Sequence, residues 1–117
     1  MQITVIAPGH IKEKFYSDAI REYSKRLSKY CRLNIIEVDD EPAPDNVSDA
    51  ERDRILMKEA EKIRRRIPEG ACVLTLEIKG KEYSSEKFAE LIGGLAISGI
   101  SHIVFIIGGS LGLHPSI

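Results

Sequence analysis

His102-Ile103-Val104-Phe105-Ile106-Ile107-Gly108-Gly109-Ser110-Leu111-Gly112 decides the fold. The five residues after His102 form a continuous apolar run dominated by β-branched side chains. The glycines directly after it mark the point where the chain leaves a strand. A strand apolar on both faces belongs in a parallel sheet covered by helices, not in a half-wet antiparallel one. Three earlier runs read the same way: Ile3–Ala7 before Pro8-Gly9, Leu33–Val38, and Ala71–Leu76. Between the runs lie helical patterns. Ile11, Phe15, Ala19, Ile20, Tyr23, Leu27 and Tyr30 recur at helical spacing and predict an amphipathic helix with that stripe inward. Ser48 and Glu51 match a capping box ahead of the stripe Leu56, Ala60, Ile63 and Ile67, and Pro68 and Gly70 end that helix. Ser84 or Ser85 caps a third helix with Phe88, Leu91, Ile92 and Leu95 inward, weakened by Gly93-Gly94. The order is β-α-β-α-β-α-β, an α/β fold with a parallel sheet covered by helices.

At 117 residues the chain is a single domain, 1–117, large enough to bury a core without staples. Apolar residues at 43% and charged residues at 30% are the balance of a soluble globular protein and argue against disorder. The net charge of −1 conceals segregation. His10–Arg32 carries seven basic and three acidic residues, Glu37–Asp53 one and eight, and Arg54–Arg66 six and two. After Glu90 there is no Lys, Arg, Asp or Glu. No apolar run reaches the roughly 18 residues of a membrane span, and the N-terminus lacks the basic flank of a secretion signal. Cys31 and Cys72 cannot make a disulfide framework. They read as buried thiols, which fits a reducing cytoplasm.

In such sheets ligands sit outside the carboxyl ends of the strands, here Ala7–His10, Val38–Asp40, Leu76–Gly80 and Gly108–His114. Gly108-Gly109-Ser110-Leu111-Gly112 reads as a glycine-rich small-molecule loop, because glycines let backbone N–H groups approach a ligand closely. It also fits G-x-S-x-G, but that hydrolase reading of Ser110 needs an acid and then a histidine further on. Only five residues follow Gly112, none of them acidic, and His114 is too near Ser110 to turn back as its base. There is no Walker motif and no G-x-G-x-x-G. His10, His102 and His114 lack metal-ligand spacing, so no metal is expected. His102 reads as structural. His10 and His114, at strand ends, read as loop histidines with a shared site as the alternative. Lys25, Arg26 and Lys29 on the first helix and Lys62, Arg64, Arg65 and Arg66 on the second are basic faces, solvated or phosphate-contacting.

Five blocks together resemble a known family: Met1–Lys14, Asp18–Leu27, Ile36–Val38 with the acidic loop after it, Leu74–Lys81 with Ser84-Ser85-Glu86, and Phe105–His114. The sequence is similar over essentially its whole length to the ribosomal large-subunit pseudouridine N3-methyltransferases of the H type, in the trefoil-knotted SPOUT class. The resemblance implies S-adenosyl-L-methionine as cofactor and N3 of a pseudouridine in 23S rRNA as acceptor. It further implies a homodimer acting on the ribosome in the cytoplasm, with no membrane or metal involved. The cofactor contacts it implies fall on Leu76 and Gly108, with Gly109 beside them; it assigns no catalytic residue here. Family members continue beyond the equivalent of Leu113-His114 into the knot segment, which is absent from this sequence. The expectation is a cofactor pocket with one wall, weak or absent methyl transfer, and a fourth strand left with an exposed apolar edge. The alternative is a non-catalytic RNA- or partner-binding remnant of that family.

Overall fold

The structure, a computed structural model, describes residues 1–109 and 111–117. Its elements are β1 (Gln2–Pro8), α1 (Lys14–Leu27), β2 (Arg32–Val38), α2 (Asp49–Arg64), β3 (Cys72–Leu76), α3 (Ser85–Ile97) and β4 (His102–Ile107). All strand pairs are parallel, in the spatial order β2-β1-β4-β3. The chain steps outward from β1 to β2, crosses over both central strands to β3, and steps back to β4. Right-handed crossovers then put α1 and α3 on one face of the sheet and α2 on the other.

Register defines the α2 face. Thr4 and Ile6 lie opposite Val104 and Ile106, and Ile6 opposite Ile36. Ile6, Val104, Ile106, Val38 and Ile63 of α2 form the buried core, with Leu113 and Ile117 packed against it. His102 opens β4 as a structural residue, its Nε2 2.8 Å from the Oγ1 of buried Thr4. Ser48 caps α2 by accepting the Glu51 N–H at 3.2 Å, and Ser84 caps α3 by accepting the Lys87 N–H at 3.1 Å. Among the described residues no helix is long and apolar enough to cross a membrane.

Three expectations need correction. First, β4 is not short of a neighbour: it lies between β1 and β3, and the edge strands are β2 and β3, the latter with Val73 and Leu76 exposed. The uncharged run seeks the middle of the sheet because both its faces and both its edges are then covered. Second, of the stripe on α1 only Ile20 points inward. Phe15 is 64% exposed and Tyr23 63%, while the half-buried positions of the helix are Ser17, Ile20 and Ser24. Small side chains let the helix lie close on the sheet and leave the aromatic stripe outside. On α3, Leu91, Ile92 and Leu95 are half-buried, but Phe88 is exposed, its ring centre 6.0 Å from that of Phe105 on β4. Third, the thiols are free and only half-buried, because Cys31 lies in the connection between α1 and β2 and Cys72 on an edge strand.

Candidate functional site

The exits of β3 and β4 enclose a cleft of about 400 Å³. Leu76, Glu77 and Ile78 form one wall, Ile107, Gly108 and Gly109 another, and Arg52 reaches in from α2. The volume falls within the roughly 300–1,000 Å³ usual for small-molecule sites. Leu76, Gly108 and Gly109 therefore line one hollow, although Leu76 and Ile107 are far apart in the chain and meet only because β3 pairs with β4 at that register. A second hollow of about 750 Å³ lies between β3 and α3, lined by Tyr83, Phe88 and Phe105, and shares Leu76, Glu77 and Ile78 with the first. The smaller cleft carries the chemistry better, because there the consecutive glycines at the exit of β4 line the same hollow as Glu77 and Arg52.

Gly108, at the start of the turn after β4, has no room for a side chain. A Cβ on Gly108 would lie 2.7 Å from the Gly112 carbonyl carbon and 2.8 Å from its oxygen, contacts that backbone cannot relieve. The Gly112 N–H donates to the Gly109 carbonyl at 3.0 Å, with Gly112 at φ +85°, which favours glycine. Helix α2 holds this turn and the residues after it. Arg52 Nη2 donates to the Leu111 carbonyl at 3.3 Å, and Arg64 Nη2 donates to Ser116 Oγ at 2.7 Å. His114 Nδ1 accepts the Ser116 N–H at 3.1 Å, which leaves Nε2 as the ring donor to Asp53 Oδ1, also at 3.1 Å. His114 is thus committed to structure. Ser110, the nucleophile of the hydrolase reading, lies outside the described residues.

His10 is on a different cluster and does not share a site with His114. Its Nδ1 faces Glu37 Oε2 at 3.1 Å and its Nε2 faces Asp39 Oδ1 at 3.0 Å. Both ring nitrogens thus meet acceptors. The hydrogen bond to Asp39 leads in raising the imidazole pKa above its ordinary 6.5, and the same bond lowers that of Asp39. Next to this cluster, Lys62 Nζ donates to Glu41 Oε1 at 2.7 Å and to the Asp39 carbonyl at 3.1 Å. The bond to Glu41 raises the Lys62 pKa and lowers the Glu41 pKa. Among the described residues no three His, Cys, Asp or Glu side chains are grouped to hold a metal ion.

Sequence reasoning missed Arg52 and Glu59, both from α2, and read Lys62 only as part of a basic helix face. A charge on a helix is usually solvated, but Glu59 stands between Leu56 and Ile63 at core spacing, and that position was the available signal.

The arrangement agrees with the comparisons. A family model described as "Predicted SPOUT methyltransferase" matches residues 1–117. The chain is 56% identical over 117 residues to a "Putative ribosomal RNA large subunit methyltransferase H" of Methanococcus maripaludis. It is 52% identical to the "Ribosomal RNA large subunit methyltransferase H" of Clostridium kluyveri and 50% to that of Acetivibrio thermocellus. Each alignment covers all of this chain and 74% of the relative. Nothing in these matches bears out reduced activity. SPOUT methyltransferases in general use S-adenosylmethionine. With a family model aligned from first residue to last, and relatives this similar along the whole chain, the chain belongs to the SPOUT methyltransferase family.

Proposed function

We propose that the chain is an S-adenosylmethionine-dependent methyltransferase of large-subunit rRNA, acting on N3 of a pseudouridine, as a homodimer on cytoplasmic ribosomes. Leu76, Gly108 and Gly109 are its cofactor contacts. The observation that carries this is the bare glycine turn facing Leu76 across the cleft at the strand ends. The lining fits the cofactor's chemistry: Leu76, Ile78 and Ile107 suit a purine face, Glu77 suits hydroxyl or ammonium donors, and Arg52 suits a carboxylate. The unburied apolar face of α1, with Phe15, Tyr23 and Leu27, supports the homodimer.

When bound, S-adenosylmethionine would supply a methyl group from its sulfonium, leaving a neutral thioether, to an N3 that gives up its proton to solvent. The protein's part is orientation. The turn held by Gly112 brings backbone close to the cofactor, the apolar walls exclude water, and Arg52 fixes the wall from the α2 side. Calorimetric titration of the 117-residue chain with S-adenosylmethionine is the test. Binding lost on Gly108→Val is expected, and binding indifferent to that change overturns the site. Transfer of labelled methyl to N3 of pseudouridine in unmodified ribosomes tests the acceptor. A second reading, a non-catalytic RNA-binding module, is favoured by the exposed Lys25, Arg26, Lys29, Arg65 and Arg66. Ribosome binding that falls steeply with salt, without methyl transfer, selects it.

A further inference from the structure

Glu59 is the one charged side chain among the buried described residues, 6% exposed on the core-facing side of α2. A carboxyl there is costly unless its oxygens are engaged. Its Oε2 accepts the Glu41 N–H at 3.0 Å. The same carboxyl stands behind the turn after β4: a Cβ built on Gly109 would lie 3.4 Å from Glu59 Oε1, 3.6 Å from Oε2 and 3.3 Å from Pro8 Cγ. One carboxyl therefore grips the loop after β2 and backs the turn after β4, where β1 ends. Lys62, three residues on, binds the same loop through the Glu41 carboxylate and the Asp39 carbonyl. Glu59 does not line the cleft, so its influence runs through Gly109.

We propose that Glu59 is a positioning residue for the cofactor cleft, holding the Gly108–Gly112 turn against α2 and tying it to the Asp39–Glu41 loop. This rests on reading that cleft as the cofactor site. A Glu59→Gln variant keeps an acceptor oxygen and nearly the same shape; Glu59→Ala keeps neither.

The experiment is amide hydrogen exchange of the 117-residue chain, paired with calorimetric titration with S-adenosylmethionine. In Glu59→Ala, exchange at the Glu41 N–H, which loses its acceptor, should rise about tenfold, the scale of one buried hydrogen bond to a charged group, and exchange at Gly112, whose turn loses its backing, should rise with it, while Val104 and Ile106 hold their rates. Cofactor affinity should fall by about the same factor, and Glu59→Gln should restore most of both losses. Unchanged exchange at Gly112, or an equal rise at Gly112 and across β4, overturns the proposal, since the second is what a merely structural role would give. If Glu59→Ala does not fold, Gly109→Ala presses the same contact from the other side and must loosen Gly112 selectively; no loosening overturns the proposal. A wild-type chain that fails to bind S-adenosylmethionine overturns the cofactor reading, and exchange then still decides whether Glu59 holds the turn.

Discussion

Two glycines show how far a residue's meaning depends on its surroundings. Gly108 has backbone within 3.1 Å of where its Cβ would stand, whereas Gly93, inside α3, has nothing within 4 Å. Gly93→Ala should therefore stabilise the protein by about 0.5–1 kcal/mol, read as a higher urea midpoint at unchanged slope. A loss of stability would mean that space is occupied in solution. The glycine turn itself was legible, because glycines after an apolar run have few other uses. Its partner Glu59 was not, since the contact depends on α2 lying across the ends of β1 and β4. His10 carries a pH signature of definite sign. Its folded pKa is raised, so its contribution to stability is whole below about pH 6.5 and is lost as pH climbs through the raised value. The Asp39 contribution, with a lowered pKa, is whole above its ordinary 3.8 and lost as pH falls through the lowered one. Urea midpoints taken from about pH 5 to about pH 8 should fall toward the alkaline end, and His10→Gln should flatten that fall. A wild-type slope that survives His10→Gln would assign it to another group.

At the scale of elements, propensity and capping were readable and facing was not. Ser48 and Ser84 cap their helices where the local pattern put them. The orientation of α1 could not be read, because periodicity reports an apolar stripe without saying what it meets. Here the sheet takes Ser17, Ile20 and Ser24 and leaves Phe15, Tyr16 and Tyr23 outside, with Arg26 laid over the Tyr23 ring at 5.7 Å. That gives a separable prediction. Phe15→Lys with Tyr23→Lys should change monomer stability by no more than about 0.5 kcal/mol per site, the usual range for exposed positions. The same pair should weaken self-association measured by sedimentation at several concentrations. A large loss of stability would place the stripe against the fold after all.

For the whole molecule, the sheet order β2-β1-β4-β3 makes stability uneven, and this order was the part of the fold least visible in the sequence. Four apolar runs alternating with helices imply a parallel sheet; which run ends up at an edge depends on how the crossovers are placed. Strand β4 is paired on both sides, and its Ile103, Val104 and Ile106 are fully buried. Strand β3 is paired on one side only, with Val73 and Leu76 exposed, and no residue of the neighbouring α3 is fully buried. Local opening should follow this asymmetry: β1 and β4 amides should exchange only through global unfolding, and β3 and α3 amides by smaller openings at lower free energy. Native-state hydrogen exchange at low denaturant reads the difference directly. If β3 exchanges as slowly as β4 at high protein concentration and faster on dilution, the open edge is covered by a second copy, as an unpaired strand invites. If β3 is slow at every concentration, its edge is closed within one chain in solution, and the expected asymmetry between edge and centre fails.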